Sequence, residues 1–232
     1  MALVKYGGGI VQISGSIAGD THARNRFGNY IRARTKPVNP NTARQQEVKA
    51  ALAFLTDRWA HTLTANQRTA WGLYAASVNM TNKLGETIQL TGFNHYIRSN
   101  TIAKMVPYPL VDDGPVIFEL PAQDPTFAVT ASEATQVLTL AYDATMDWAT
   151  EDVAYMYFFQ GKPQNAQRNF FDGPWRFIGS VGGIDPGGPV EPHAAGAAFT
   201  MAEGQRQWVY ARIQRADGRL SEPFRADTFC AA

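Results

Sequence analysis

Five prolines (Pro107, Pro109, Pro115, Pro121 and Pro125) fall between residues 105 and 125, a density that no continuous helix or central strand tolerates. The stretch therefore divides the chain. Charge divides it at the same place. Residues 1–110 hold 13 Lys or Arg against Asp20, Glu47, Asp57 and Glu86, a net of +9, and residues 111–232 hold 8 cations against 16 carboxylates, a net of −8. The overall +1 hides this asymmetry. Halves of opposite sign either neutralise each other or face different neighbours. We place the domain boundary near residue 112, inside a stiff linker or edge segment spanning 105–125.

Beyond that segment the pattern is one of strands. Residues Val137–Tyr142 and Val153–Phe158 alternate, as do Trp175–Ile178 and Trp208–Ile213, and Ala216-Asp217-Gly218-Arg219 reads as a hairpin turn. Six or seven strands at this spacing predict a β-sandwich over 126–232. The run from Val181 to His193, rich in glycine and proline, reads as a long exposed loop.

The first half is organised differently. Residues 1–41 read as an extended basic arm: glycine recurs too often for a helix, and Asn29–Arg34 alternates, with Tyr30, Arg32 and Arg34 on one side and Ile31 and Ala33 on the other. Turns are expected at Gly19-Asp20 and Gly28-Asn29. Pro37 and Pro40 hold the following residues extended. Residues 42–104 then predict a small helical unit. Thr42 with Gln45 and Thr64 with Gln67 form capping boxes. Val48, Leu52, Leu55 and Trp59 would form the apolar stripe of the first helix, and Trp71, Tyr74, Ala75 and Val78 that of the second. The short connection around His61–Leu63 predicts an antiparallel αα-hairpin. A small β-excursion over Lys83–Leu90 and a third helix from Thr91, burying Phe93, Tyr96 and Ile97, complete the unit. The expected class is α+β: an extended N-terminal β-arm, a helical hairpin, and an immunoglobulin- or fibronectin-like β-sandwich.

Few residues suggest chemistry. His22, His61, His95 and His193 are scattered, without metal-ligand spacing. Gly7-Gly8-Gly9 lacks the Lys-Ser/Thr of a phosphate loop, and no Gly-x-Ser-x-Gly elbow is present. Asp147, Glu151 and Asp152 cluster on a loop, where solvated carboxylates are expected. Cys230 stands alone near the end of the chain and reads as a surface thiol. The reading is of a non-enzymatic protein with no metal and no cofactor. The start MALVKYGGGI lacks the apolar run and cleavage site of a signal peptide, and no stretch of about 18 apolar residues predicts a membrane span.

Two features point to surfaces. Arg24, Arg26, Arg32, Arg34, Lys36 and Arg44 fall within residues 22–44, which contain no carboxylate. With Tyr30, the cations from Arg24 to Lys36 form a candidate docking arm for acidic protein surface. Nucleic acid is the weaker alternative, with Phe27 and Tyr30 as stacking rings. In the second half, the neighbouring pairs Phe158-Phe159 and Phe170-Phe171 must each turn one ring outward. Phe159, Phe171 and Trp175 are thus candidate surface contacts, for protein first and for glycan second.

Residues 205–224, with QWVYARIQRADGRLSEPF, resemble the closing hairpin of a fibronectin type III domain. The N-terminal half is similar to a pattern of uncharacterised bacteriophage and prophage proteins. The matching residues are Gly15-Ser16-Ile17-Ala18-Gly19, the run Arg24-Asn25-Arg26 through Arg32, Lys36-Pro37-Val38-Asn39-Pro40-Asn41-Thr42, Gln45, Gln46, Trp71 and Gly92-Phe93-Asn94. That resemblance spans roughly residues 7–104 and implies a virion structural protein of the head, neck or tail, assembled in the host cytoplasm. Other virion proteins and further copies of the chain are the expected partners, with no membrane. A carbohydrate-binding module on the virion surface and a nucleic-acid-binding packaging or connector factor are the alternatives.

Overall fold

Thr42 and Gln45 open the first helix as their spacing predicts. The Thr42 hydroxyl accepts from the Gln45 amide at 3.3 Å, and the Gln45 side chain accepts from the Thr42 amide at 3.3 Å. The same reciprocal pair, Thr64 and Gln67, opens the second helix. Thr91 caps the third through the Asn94 amide. The computed structural model in which these contacts appear describes residues 2–36, 38–82, 84–184 and 186–232. The expectations for Pro37, Lys83 and the Asp185 position of the long loop lie outside the described residues.

The protein is α+β. Four short strands, β1 (Ala2–Val4), β2 (Gly15–Ile17), β3 (Asp20–Asn25) and β4 (Gly28–Ala33), form an antiparallel sheet in the order β1-β4-β3-β2. The turns sit at Ala18-Gly19 and Arg26-Phe27, each shifted by a residue or two from the expected places. Helices α1 (Ala43–Asp57), α2 (Ala65–Ser77) and α3 (Gly92–Met105) follow, with a two-stranded ribbon, β5 (Met80–Thr81) and β6 (Thr87–Ile88), between the last two. None of the helices is long and apolar enough to cross a membrane.

The helical unit departs from a hairpin. After α1 the chain runs through a π-helical turn, Arg58–Thr62, and α3 then packs against both α1 and α2, which make few contacts with each other. The expected stripe on α1 is correspondingly wrong. Ala51 and Leu55 are its buried residues, Trp59 is partly buried, and Val48 and Leu52 are exposed, because α3 covers one narrow line of the helix. The α2 stripe holds: Trp71, Tyr74, Ala75 and Val78 are all buried. Trp71 meets Tyr74 and Tyr96 edge-on, at 6.0 and 5.7 Å between centroids.

The proline-rich segment does not run free. Asn100 of α3 clamps it, with its amide nitrogen donating to the Val111 carbonyl at 3.0 Å and its oxygen accepting from the Val111 amide at 2.8 Å. The next residue, Asp112, receives Arg58 (2.8 and 2.5 Å) and the Tyr96 hydroxyl (3.2 Å), while its carbonyl accepts the Trp71 indole N–H at 2.9 Å. Proline at this density removes backbone donors, and side chains from the helices take over the anchoring.

Seven strands make the second half: β7 (Ala128–Ser132), β8 (Val137–Ala141), β9 (Tyr155–Gly161), β10 (Trp175–Gly182), β11 (His193–Gly196), β12 (Arg206–Gln214) and β13 (Phe224–Ala231). Their order is β10-β9-β12-β13-β7-β8-β11. The sheet turns over at β13, which pairs antiparallel with β12 up to Phe229 and then parallel with β7 through Cys230 and Ala231. Alternation is obeyed on both sides of that fold. Val129, Leu138 and Leu140 from one wing meet Met156, Phe158, Val209 and Ile213 from the other in a shared core. Cys230 belongs to this core and is 3% exposed, which corrects the expected surface thiol: the chain end is an inner strand. Burial also raises its thiol pKa above the ordinary range.

Candidate docking surfaces

Among the described residues of the arm none is buried, and none joins a hydrophobic core. The register explains how the cations are displayed. Thr21 faces Arg32 and Ala23 faces Tyr30 across β3 and β4, so Tyr30 and Arg32 share one side of the sheet. Arg24, opposite Asn29, lies on the other, which residues 6–12 partly cover: Tyr6 bonds His22 at 3.0 Å, and Asn29 bonds the Val11 carbonyl at 3.1 Å. Arg26 occupies the hairpin turn, and Arg34 extends the β4 pairing through its amide to the Gly19 carbonyl at 2.7 Å. Arg24, Arg26, Arg32, Arg34 and Lys36 are all exposed, and among the described residues none makes an ion pair. Four guanidinium forks and one ammonium thus stand ready for carboxylate or phosphate. Among the described residues, the ion pair tying the arm to the rest of the chain is Lys5 to Glu86, at 2.5 Å.

The aromatic candidates fare differently. Phe159 is 9% and Phe171 2% exposed, so neither is a surface ring. Phe159 stacks on Tyr210 at 4.6 Å, and Phe171 sits edge-on to Trp175 at 4.9 Å. Trp175 is half-buried, with Tyr210 at 4.8 Å and the Arg225 guanidinium over its ring at 5.3 Å. The outward ring of the second pair is Phe170, 69% exposed. The first pair has no outward ring at all, because both faces of β9 are covered. Tyr157 and Phe159 turn away from the main core and meet Leu220, with Ile102 and Tyr108 of the first half packed against them. Tyr108 stacks flat on Tyr155 at 4.2 Å and its hydroxyl lies 2.8 Å from that of Ser180. The side of β9 that turns from the main core is thus covered within the chain, by Ile102 of α3 and Tyr108 of the proline-rich segment.

Arg98 of α3 completes that junction. It donates to the carbonyls of Leu220 (2.5 Å) and Ser221 (2.6 Å) just beyond the β12 turn. Burial, then the nearby Arg212, lower its pKa to about 10, and Glu222 opposes them. No motif in the sequence marks Arg98 or Asp112. The available signal was Ser99 and Asn100 beside Arg98: small polar residues on the buried face of a helix admit another backbone.

At one end of β7–β13, two loops carry the acids. The Gly183 amide donates to the Ala154 carbonyl and the Ile184 amide to the Ala149 carbonyl, both at 2.9 Å, locking residues 143–154 to the 183–192 loop. The Tyr142 hydroxyl donates to the Val190 carbonyl at 2.8 Å. Asp143 is held by Thr145, which keeps its carboxyl below the ordinary range, and Glu151 pairs with Arg215. Asp147 and Glu191 are exposed and make no ion pair among the described residues. Beside them opens a cavity of about 390 Å³ lined by Ile117, Glu119, Asp147, Trp148 and Arg219, among others.

No protein-family model matches the sequence, and no curated protein matches it significantly. Among solved structures, the adhesin domain of Epf from Streptococcus pyogenes aligns over 48% of this chain at 8% identity, with a TM-score of 0.29. The alignment spans 32% of that chain.

Proposed function

We propose that the chain is a non-enzymatic structural component of a bacteriophage virion, docked through its basic N-terminal sheet to an acidic protein surface. The observation that carries this reading is a four-stranded sheet without one buried residue among those described, displaying five cations without ion-pair partners. So small a sheet, with no core, gains too little from its own contacts to offset the entropy of ordering it. A neighbour that covers a face and matches the charge supplies what is missing. The phage assignment itself rests on the resemblance of residues 7–104.

The second half is, in this reading, a fibronectin type III-like sandwich. Its strand order supports that: the first, second and fifth strands (β7, β8, β11) form one wing, and the third, sixth and seventh (β9, β12, β13) the other. An immunoglobulin-type sandwich groups its strands in this way, and the fourth strand, β10, is here paired to the third. The glycan-binding alternative loses two of its three named rings, Phe159 and Phe171, to packing within the chain.

The test is incorporation. Purified particles are analysed by mass spectrometry for the wild-type protein and for the Arg24→Ala, Arg26→Ala, Arg32→Ala, Arg34→Ala variant. Wild type should be present at a fixed copy number, and the folded variant should be excluded. Normal incorporation of the variant sinks the docking arm. Salt-sensitive DNA binding by the wild type, lost in the variant, would assign the segment to nucleic acid instead.

A further inference from the structure

We propose that the surface receiving the basic sheet is the acidic end of β7–β13 in a second copy of this chain, so that copies join head to tail. This rests on the docking-arm reading above and names its partner. Four observations converge on that end of the molecule.

Charge comes first. The loops 143–154 and 183–192 contain no Lys or Arg and carry Asp143, Asp147, Glu151, Asp152 and Glu191 among their described residues. Arg215 takes up Glu151, but Asp147 and Glu191 stay exposed without an ion pair. The arm presents the complement, five exposed cations against the single carboxylate of Asp20. Pairing like with unlike across an interface fixes orientation and rejects a docking of arm on arm.

Apolar surface follows the same division. Val153, Ile184 and Val190 stand 45%, 51% and 86% exposed between those acids. Ile10, Val11 and Ile17 stand exposed beside the arm's cations. Each surface therefore alternates apolar and charged groups, as the core and rim of an interface require.

The receiving surface is also pre-formed. The two loops are hydrogen-bonded to each other, and Gly183 and Gly188 lie so close to the backbone of residues 144–151 that a side chain at either would collide with carbonyl oxygens. Little order would be lost on binding.

The cavity supplies the fourth observation. Trp148, 1% exposed, lines it, and among the described residues its indole nitrogen has no hydrogen-bond partner. The volume of about 390 Å³ admits one large side chain.

The chain does not make this contact with itself. Among the described residues no hydrogen bond or ion pair joins the arm to β7–β13, and Lys5 ties it to the β5–β6 ribbon instead. The two surfaces are different patches, so the contact is heterologous and propagates into a ring or a filament.

The experiment uses the full-length protein and two charge-reversed variants, one with Arg24→Glu, Arg26→Glu, Arg32→Glu and Arg34→Glu, the other with Asp147→Lys and Glu191→Lys. Sedimentation at roughly 100 µM should show wild-type oligomers, weakening tenfold or more as salt rises from about 50 to about 500 mM. Each variant alone should be monomeric with an unchanged circular dichroism spectrum, and an equimolar mixture should form one-to-one complexes. Monomeric wild type, persistent oligomers in either variant, or a mixture that stays unassociated overturns the proposal. If the acidic-end variant enters particles normally while the arm variant does not, the docking arm stands and the second copy is not its partner.

Discussion

The Arg98 guanidinium donates to the carbonyl of Leu220 at 2.5 Å, joining the third helix to a β-turn 122 residues further along the chain. With Ser221 at 2.6 Å, one side chain satisfies two carbonyls that neither sheet nor water need serve. Removing it leaves both unpaired inside the junction. Arg98→Met should destabilise the protein by about 2–4 kcal/mol in urea unfolding. A variant as stable as wild type would mean that the two halves are held by apolar contact alone.

The same junction bears on autonomy. Residues 113–232 contain the whole of the main β core, so that fragment should keep a β-type circular dichroism spectrum. It lacks Ile102 and Tyr108, however, and uncovers Tyr155 and Tyr157. The fragment should therefore bind a hydrophobic dye or self-associate, and should melt below the full chain. An unfolded fragment would defeat the two-domain reading, and one that melts like the full chain would deny the junction any energetic role.

Gly218 tests the closeness of that contact. It sits at φ +87°, and a Cβ there would lie 3.1 Å from a Val111 side-chain carbon and 3.2 Å from the Trp71 ring. Gly218→Ala meets both a disfavoured backbone conformation and a tight wall. A loss of about 1–3 kcal/mol is expected, with a change in tryptophan fluorescence from Trp71. No loss would show that the hairpin turn moves freely against the helices.

His95 sets a pH dependence. It is fully buried against Tyr74, and among the described residues neither ring nitrogen has a hydrogen-bond partner. Burial, with Arg98 adding to it, lowers its pKa from the ordinary 6.5 to about 4. Between those values the unfolded chain binds the proton and the folded chain does not. Stability should therefore fall as pH drops from 6.5 towards 4, by up to about 3 kcal/mol from this group, and level off below. Urea midpoints at neutral pH and near pH 4 for wild type and His95→Gln check it. An identical slope in the variant would remove His95 as the cause.

The arm should behave in the opposite way to the junction. Alanine at Arg24, Arg26, Arg32 and Arg34 removes exposed side chains without ion pairs, so the melting of the isolated protein should shift by no more than about 0.5 kcal/mol in stability. A large loss would place these arginines in the fold of the single chain.

What the sequence determined by itself is what neighbouring residues encode. Thr42 with Gln45 and Thr64 with Gln67 start their helices because a capping box needs only four consecutive residues. Strands such as Val137–Ala141 follow from alternation, and the exposed basic arm follows from cations without nearby acids. Tertiary structure decided which faces are covered. Alternation says that Phe158 and Phe159 point oppositely, but only the packing of distant segments makes both interior: Phe158 enters the main core, and Phe159 lies between Phe177 and Tyr210. Helical spacing groups Val48 with Leu52 and Leu55, yet the path of α3 covers Leu55 and leaves the other two in solvent. Cys230 is buried because β13 pairs with both β12 and β7, a contact with residues about a hundred positions away. Periodicity fixes the direction of a side chain relative to its own backbone; what lies in that direction is set by segments distant in sequence, through burial and hydrogen bonding that no local pattern contains.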